Sequence, residues 1–221
     1  MTIAHDSTTV SGNNQTGTSA SWSHTVASGG VLFVCVAMRN STDANRSVSS
    51  ITYDGVALTR AVSVSNNTYD ITVEIWYLGN PTTGSAETVT VTLAGTGNRW
   101  AASASSFTGC SSSDPVGETQ TAQASGTGIS LSLTPGDSDS WILDCVYSKS
   151  DLAITAGQTE RAQQQANSGD RVASQTAGPV SSATTMGWTW SASGQNAVQC
   201  AVEIRVRSEE HTSELQSPNT I

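Results

Sequence analysis

The chain has 221 residues and a formal net charge of −9, and only 12% of its residues are charged. Roughly 25% is usual in a globular domain, so uncharged polar groups must cover most of the surface, and the scattered basic residues exclude a phosphate-binding stripe. The sequence has neither the ~20-residue apolar run of a transmembrane helix nor, at residues 1–14, the basic and apolar regions of a secretory signal.

Short strands are predicted throughout the first half, after a polar N-terminal arm at residues 1–16. They lie at 19–26, 31–38, 50–53, 56–64, 69–78, 88–93 and 100–107. Residues 31–38 (VLFVCVAM) are apolar without interruption, which is typical of a central strand that is buried on both faces. Asp54 and Gly55 form a dipeptide that is common in tight hairpin turns.

The second half repeats the first in the same order. Its strands are predicted at 129–133, 141–148, 158–162, 170–176, 185–190 and 197–206. The segment VLFVCV aligns with WILDCV, which sets Cys35 against Cys145, and 97–109 aligns with 194–206 without a gap. This repetition indicates an internal duplication.

The pattern predicts an all-β, antiparallel β-sandwich that is jelly-roll-like and built from two similar halves, because short strands alternate with Gly/Pro-rich turns. We expect one shared sandwich over 17–206, made of half 1 (17–109), a connector (110–125) and half 2 (126–206). Two separate immunoglobulin-sized sandwiches are the alternative. The shared form is favoured because the middle strands of half 2 are polar and would need a partner to complete their core.

The composition changes abruptly at the C-terminal end of the chain. Residues 207–217 read RSEEHTSELQS, which resembles the conceptual translation of a short-read sequencing adapter. We therefore interpret 207–221 as an artefactual tail, disordered or irregular, on a sequence of metagenomic origin. A genuine polar helical tail is the alternative.

Five segments together resemble a widespread family of bacterial and phage β-sandwich modules. They are SGGVLFVCV (28–36), ITYDGVALT (51–59), EIWYLGNP (74–81), TVTVTLAG (88–95) and SFTG (106–109). The resemblance extends over nearly all of 17–206. It implies a structural or surface module of phage particles or of secreted bacterial proteins, and it brings no catalytic residues with it.

The cysteines are the first candidates for chemistry. Cys35 and Cys145 occupy equivalent strands and could form a disulfide if these strands adjoin, whereas buried free thiols are the alternative. Cys200 could complete a three-thiolate metal site, but the sequence has no CxxC spacing to support one. Cys110 falls in a predicted loop, where we expect it to be exposed.

Acidic residues and one histidine give weaker signals. Asp137 and Asp139 could hold Ca²⁺ in a turn, although solvated turn carboxylates are the simpler interpretation. Asp70 and Glu74 could suggest a glycosidase pair. His24 would need a nucleophilic serine beside it to act in a hydrolase, and the sequence has no GxSxG motif.

Tryptophans give the best of the weak binding signals. Trp188 and Trp190 lie on one face of one predicted strand, and Trp76 lies in the WY segment. Packing in the core is the commoner fate of such side chains and is the favoured interpretation. If the pair is exposed instead, it could stack on sugar rings or form an oligomer interface.

Taken together, these features favour a non-catalytic structural protein without cofactors, and specifically an accessory decoration or tail-associated protein of a phage virion. We expect its partners to be further copies or capsid and tail proteins, with no nucleic acid and no membrane. The alternative is a carbohydrate-binding or adhesive module that is extracellular or on the cell surface, if an upstream signal is missing. A hydrolase is a third, weaker hypothesis.

Overall fold

A computed structural model describes residues 2–150 and 153–207 of the chain. The described residues contain 17 β-strands and one short 3-10 helix, and every strand pairing is antiparallel. The predicted all-β sandwich class is confirmed. The predicted tail lies outside the described residues from 208 onward. Within the described ranges, no helix has the length and apolarity needed to span a membrane.

The strands of half 1 are β1 (Ala4–Val10), β2 (Ser19–Thr25), β3 (Val31–Arg39), β4 (Val48–Tyr53), β5 (Val56–Ala57), β6 (Thr59–Asn66), β7 (Ile71–Leu78), β8 (Ala86–Leu93) and β9 (Arg99–Thr108), with the 3-10 helix at Asp43–Asn45. The strands of half 2 are β10 (Val116–Gly126), β11 (Gly128–Leu133), β12 (Ser140–Ser148), β13 (Thr155–Ala156), β14 (Thr159–Asn167), β15 (Asp170–Val180), β16 (Thr184–Thr189) and β17 (Gln195–Ile204).

Each half contains a five-stranded sheet and a smaller one, and the strand order is the same in both. Half 1 has the orders β1-β9-β3-β7-β6 and β2-β8-β4-β5. Half 2 has the orders β10-β17-β12-β15-β14 and β11-β16-β13. The aligned segments VLFVCV and WILDCV therefore lie at the same place, in the central strand of their five-stranded sheets.

The sheets stack in four layers, with the two five-stranded sheets inside. Along β3, Leu32 and Val34 pack into the core of half 1, whereas Phe33 and Cys35 pack against half 2. Strand β3 is apolar on both faces because each face packs in a different core. The expectation of one shared sandwich differs from this arrangement, since each half supplies both of its own sheets.

The two halves meet through equivalent surfaces. Strand β1 lies near β14 and its counterpart β10 lies near β6, while β9 contacts β14 and β17 contacts β6. A reciprocal pattern of this kind is typical of a two-fold interface between identical subunits. Aromatic rings fill this interface, and the centroids of Phe107 and Trp141 are 6.0 Å apart.

Two segments that were predicted to lie outside the sandwich are strands of it. Within the predicted arm at 1–16, Ala4–Val10 pairs with β9, and most of the predicted connector at 110–125 belongs to β10, which pairs with β17. Both are edge strands, so their backbones bond to a neighbour on one side only. Their polar side chains gave too little alternation to predict them.

The predicted Asp-Gly turn is confirmed. Asp54 and Gly55 have φ angles of 50° and 75°, and the strands on either side pair through Tyr53 and Val56. Positive φ at both central positions matches the twist of the flanking strands, and glycine adopts it without strain.

Candidate functional site

The candidate site centres on the carboxyl group of Asp144, in the central strand of half 2. Its side chain is fully buried, and its Oδ2 accepts three hydrogen bonds. The donors are Gln175 Nε2 at 2.6 Å, Gln199 Nε2 at 2.7 Å and Trp188 Nε1 at 3.0 Å. These residues come from β12, β15, β17 and β16, so the carboxyl joins both sheets of half 2 through its core.

Burial raises the pKa of Asp144 to about 7, although the hydrogen bonds from Gln175, Gln199 and Trp188 favour the ionised form. The other carboxyl oxygen, Oδ1, has no hydrogen-bond partner, and neither has Oε1 of Gln199. A buried acceptor without a donor is costly. The neutral acid is therefore favoured over a wider pH range than in an exposed aspartate.

Sequence reasoning missed this site. The equivalent residue in half 1 is Val34, an apolar side chain that packs in the core of that half. The signal was present, because Asp144 stands inside the apolar segment WILDCV. A charged residue at a central-strand position is rarely buried unless it is paired.

Two of the three predicted binding tryptophans are in the core. Trp188 is 1% exposed and Trp190 is 6% exposed, and the Trp190 indole donates to the carbonyl oxygen of Gly126 at 2.9 Å. Neither ring has the open face that stacking on a sugar requires. Trp76 is half-buried, donates to Glu74 Oε2 at 2.8 Å and has the Arg60 guanidinium 5.8 Å from its ring centroid.

The four cysteines are free thiols, and all are buried. Cys35 and Cys145 lie in the same core cluster, where the two inner sheets meet, and both are free thiols instead of the disulfide that was the less favoured expectation. Burial, followed by the nearby Cys35, raises the pKa of Cys145 well above its ordinary value, so the reactive thiolate is disfavoured. Cys110, expected to be exposed, is fully buried, and burial raises its pKa to about 12.

The predicted calcium ligands do not converge. Asp137 Oδ2 lies 3.3 Å from Arg205 Nε, while the backbone N–H of Asp139 bonds to Ser181. The turn is organised by Glu203, which accepts hydrogen bonds from the backbone N–H groups of Gly136 and Asp137 and from two further donors. Within the described ranges, no three His, Cys, Asp or Glu side chains are grouped to hold a metal ion.

His24 is the centre of a hydrogen-bonded chain that ties β1 and β2 to β9. On one side of the ring, Trp22 Nε1 donates to Thr9 Oγ1 (3.0 Å), and Thr9 Oγ1 lies 2.8 Å from His24 Nδ1. On the other side, His24 Nε2 lies 3.2 Å from Ser106 Oγ, which donates to Asp6 Oδ2 (2.7 Å). Because the indole must donate and the carboxylate must accept, every link is satisfied by a neutral His24 with its proton on Nε2.

This chain contains Ser, His and Asp but is not a catalytic triad. Burial lowers the pKa of His24 to about 4, and Ser106 is fully buried and donates its proton to Asp6. In a triad the serine would donate to the histidine, and the aspartate would accept from the opposite ring nitrogen. The chain therefore holds the N-terminal strands in place.

The suggested glycosidase pair is also divided. Glu74 is fully buried beside Trp76, and it accepts a hydrogen bond from the backbone N–H of Val48. Asp70 lies before β7 at the end of the sheet, where it lines a cleft with Arg39 and Arg99. The buried Glu74 is closed to a substrate, so the two carboxylates do not flank an open site.

No family model matches this chain, and no curated protein matches it either. The major capsid protein P2 from Bacteriophage PM2 is a solved structure that it resembles, with 10% sequence identity over 95% of this chain and 98% of that chain. The TM-score is 0.27, and at such values the likeness carries no argument about function.

Proposed function

We propose that this chain is a non-catalytic structural protein of a phage particle, an accessory β-sandwich that decorates the capsid or associates with the tail. The observation that carries the proposal is that three buried ionisable groups serve the fold. Asp144 joins two sheets, Glu203 holds a turn, and His24 anchors the N-terminal strands. Ionisable groups that stabilise the fold in this way suit a protein with a structural role.

The outer surface supports the same proposal. Among the described residues, the exposed large hydrophobic side chains are Val10 and Val56, at 43% and 50% exposure. Four edge strands, β1, β6, β10 and β14, border the inner sheets. Polar surfaces and edges of this kind suit many weak, repeated contacts with other particle proteins, since attachment in many copies multiplies a modest affinity.

Particle association is tested on the phage that carries the gene. Particles are purified on a density gradient, and the tryptic peptide 47–60 (SVSSITYDGVALTR) is quantified by mass spectrometry in every fraction. We expect the peptide to follow the major capsid protein through the gradient. A peptide that stays with soluble host proteins at the top would contradict the proposal.

A carbohydrate-binding or adhesive role is the second candidate, and it now depends on Trp76. This tryptophan keeps part of its ring exposed beside Arg60, unlike the buried Trp188. If Trp76 stacks on a sugar, the Trp76→Ala variant loses binding on a glycan array, while Trp22→Ala, a control at another half-buried tryptophan, keeps it. An array on which the unaltered protein binds no glycan would contradict this candidate.

The repeated strand order supports an origin by duplication of a sandwich that formed a homodimer. Such a dimer would have joined its five-stranded sheets across a two-fold axis, and fusion of the genes would have made one subunit into each half. The reciprocal contacts of β1 with β14 and of β10 with β6 fit this origin. The change from Val34 to Asp144 would then be a later divergence of half 2.

A further inference from the structure

A cleft of about 250 Å³ lies at one end of the inner sheets, where the two halves meet. We call it the junction cleft, and its lining residues are Arg39, Asn40, Ser41, Asp70, Gly97 and Arg99. The end of β3, the start of β9 and the residue before β7 therefore form its walls. Asp170 of half 2 lies beside the cleft, with its Oδ2 3.5 Å from Arg39 Nη1.

Two arginines lie side by side in the lining of this cleft. Arg39 and Arg99 are direct partners in the antiparallel pair of β3 and β9. Like charges directly opposite in a sheet are destabilising unless a counter-charge lies between them. Asp170 provides one for Arg39. In the part of the chain that the structure describes, no carboxylate lies within ion-pair distance of Arg99.

Further charges surround the cleft. Lys149 lies close enough that burial and then Arg39 lower its pKa, whereas Asp70 and Asp170 raise it. The buried Arg46 has its Nη1 3.9 Å from Asp70 Oδ1. Four cations (Arg39, Arg46, Arg99 and Lys149) therefore gather here beside the carboxylates of Asp43, Asp70 and Asp170, in a chain whose formal net charge is −9.

We propose that the junction cleft binds a single carboxylate group, with the exposed guanidinium of Arg99 as its main cation. A guanidinium matches a carboxylate through two parallel N–H···O bonds. The Asp70 carboxylate in the wall would repel a phosphate dianion more strongly than it repels a singly charged carboxylate. The cleft is smaller than the 300–1,000 Å³ of most drug-sized ligand sites, which suits a small acid or one acidic side chain.

The carboxylate has two possible sources. It could belong to a free organic acid or to an acidic side chain of a second copy of this chain. The opposite end of the inner sheets offers Asp114, 69% exposed, and Asp137, 53% exposed, although each would have to share its carboxylate with Arg205. Both sources use the same chemistry at Arg99, so the experiment has one arm for each.

The first arm titrates the isotopically labelled protein with sodium acetate at constant ionic strength and follows its backbone amide NMR signals. We expect saturable shifts at Ser41 and Gly97. The Arg99→Gln variant should bind acetate about tenfold more weakly, as expected for the loss of a charged hydrogen bond. Arg60→Gln, which removes a half-exposed arginine outside the cleft, should bind as the unaltered protein does. If Arg99→Gln fails to fold, Arg99→Lys keeps the charge, loses the fork, and should also bind more weakly.

The second arm measures sedimentation velocity over a range of protein concentrations. If a second copy supplies the carboxylate, the unaltered protein self-associates, acetate reverses the association, and Arg99→Gln remains monomeric. The proposal is overturned if neither acetate shifts nor self-association is observed, or if Arg60→Gln has the same effect as Arg99→Gln. Phosphate that binds more tightly than acetate in the same titration would overturn the assignment to a carboxylate.

Discussion

The replacement of Asp144 by asparagine gives the sharpest prediction about the interior. Burial raises the pKa of this carboxyl from 3.8 to about 7 in the folded protein. The folded state therefore holds its proton more tightly than the unfolded state does. The stability associated with the neutral acid is fully present below about pH 4 and is lost as the pH rises toward 7.

The magnitude follows from the size of the shift. One pKa unit corresponds to about 1.4 kcal/mol, so three units correspond to a loss of about 4 kcal/mol in the free energy of unfolding between pH 4 and pH 8. Asparagine is similar in shape to the neutral acid and carries no charge at any pH. The Asp144→Asn variant should therefore match the unaltered protein near pH 4 and exceed its stability by up to about 4 kcal/mol near pH 8.

Urea unfolding at a series of pH values measures this difference. Taking the difference between variant and unaltered protein at each pH cancels the other titrating groups, His24 included. Asp54→Asn is the matched control, because it removes a carboxylate from an exposed turn in which asparagine tolerates the positive φ. Its effect should stay within about 0.5 kcal/mol. A constant difference between Asp144→Asn and the unaltered protein from pH 4 to pH 8 would refute the reasoning.

Three further predictions concern the interior. Burial lowers the pKa of His24 from 6.5 to about 4, so the folded state holds this proton less tightly than the unfolded state does. The free energy of unfolding should therefore fall by up to about 3 kcal/mol as the pH drops from 6.5 to 4. The His24→Gln variant should lack this decrease in acid titrations followed by circular dichroism. Trp188→Phe removes one donor from Asp144 and should lower the free energy of unfolding by about 1–3 kcal/mol in urea titrations, and an unchanged midpoint would count against the network. The buried thiols of Cys35 and Cys110 should react with a thiol reagent only after denaturation, so rapid labelling of the native protein would contradict their placement.

The strand order could be predicted from the sequence because apolar periodicity and turn residues record which side of a strand is buried. The uninterrupted apolar run of β3 and the Asp54-Gly55 turn are examples, and both agree with the structure. The alignment of the halves also brought Cys35 and Cys145 to equivalent positions. The alignment did not predict the number of layers. A strand face is apolar whether it packs against a sheet of its own half or against a sheet of the other half.

The sites were harder to predict, since they depend on contacts between residues that are far apart in the chain. Trp188 and Trp190 read equally well as core residues or as a binding surface, and only burial by the facing sheet distinguishes the two. The cleft between Arg39 and Arg99 needs the register of β3 with β9, as well as Asp170 from the other half. The edge strand β10 was missed because most of its side chains are polar and lie at the surface instead of entering the core.

The central claim is that the two halves form one four-layered body, joined through the apolar faces of their five-stranded sheets. Amide hydrogen exchange of the intact protein, measured on peptides from β3 and β12, tests this most directly. Because each strand is central in its sheet and packs on both faces, both peptides should exchange at the same slow rate, set by global unfolding. If β12 exchanged much faster than β3, the halves would unfold separately, and the shared interface would not be the feature that holds them together.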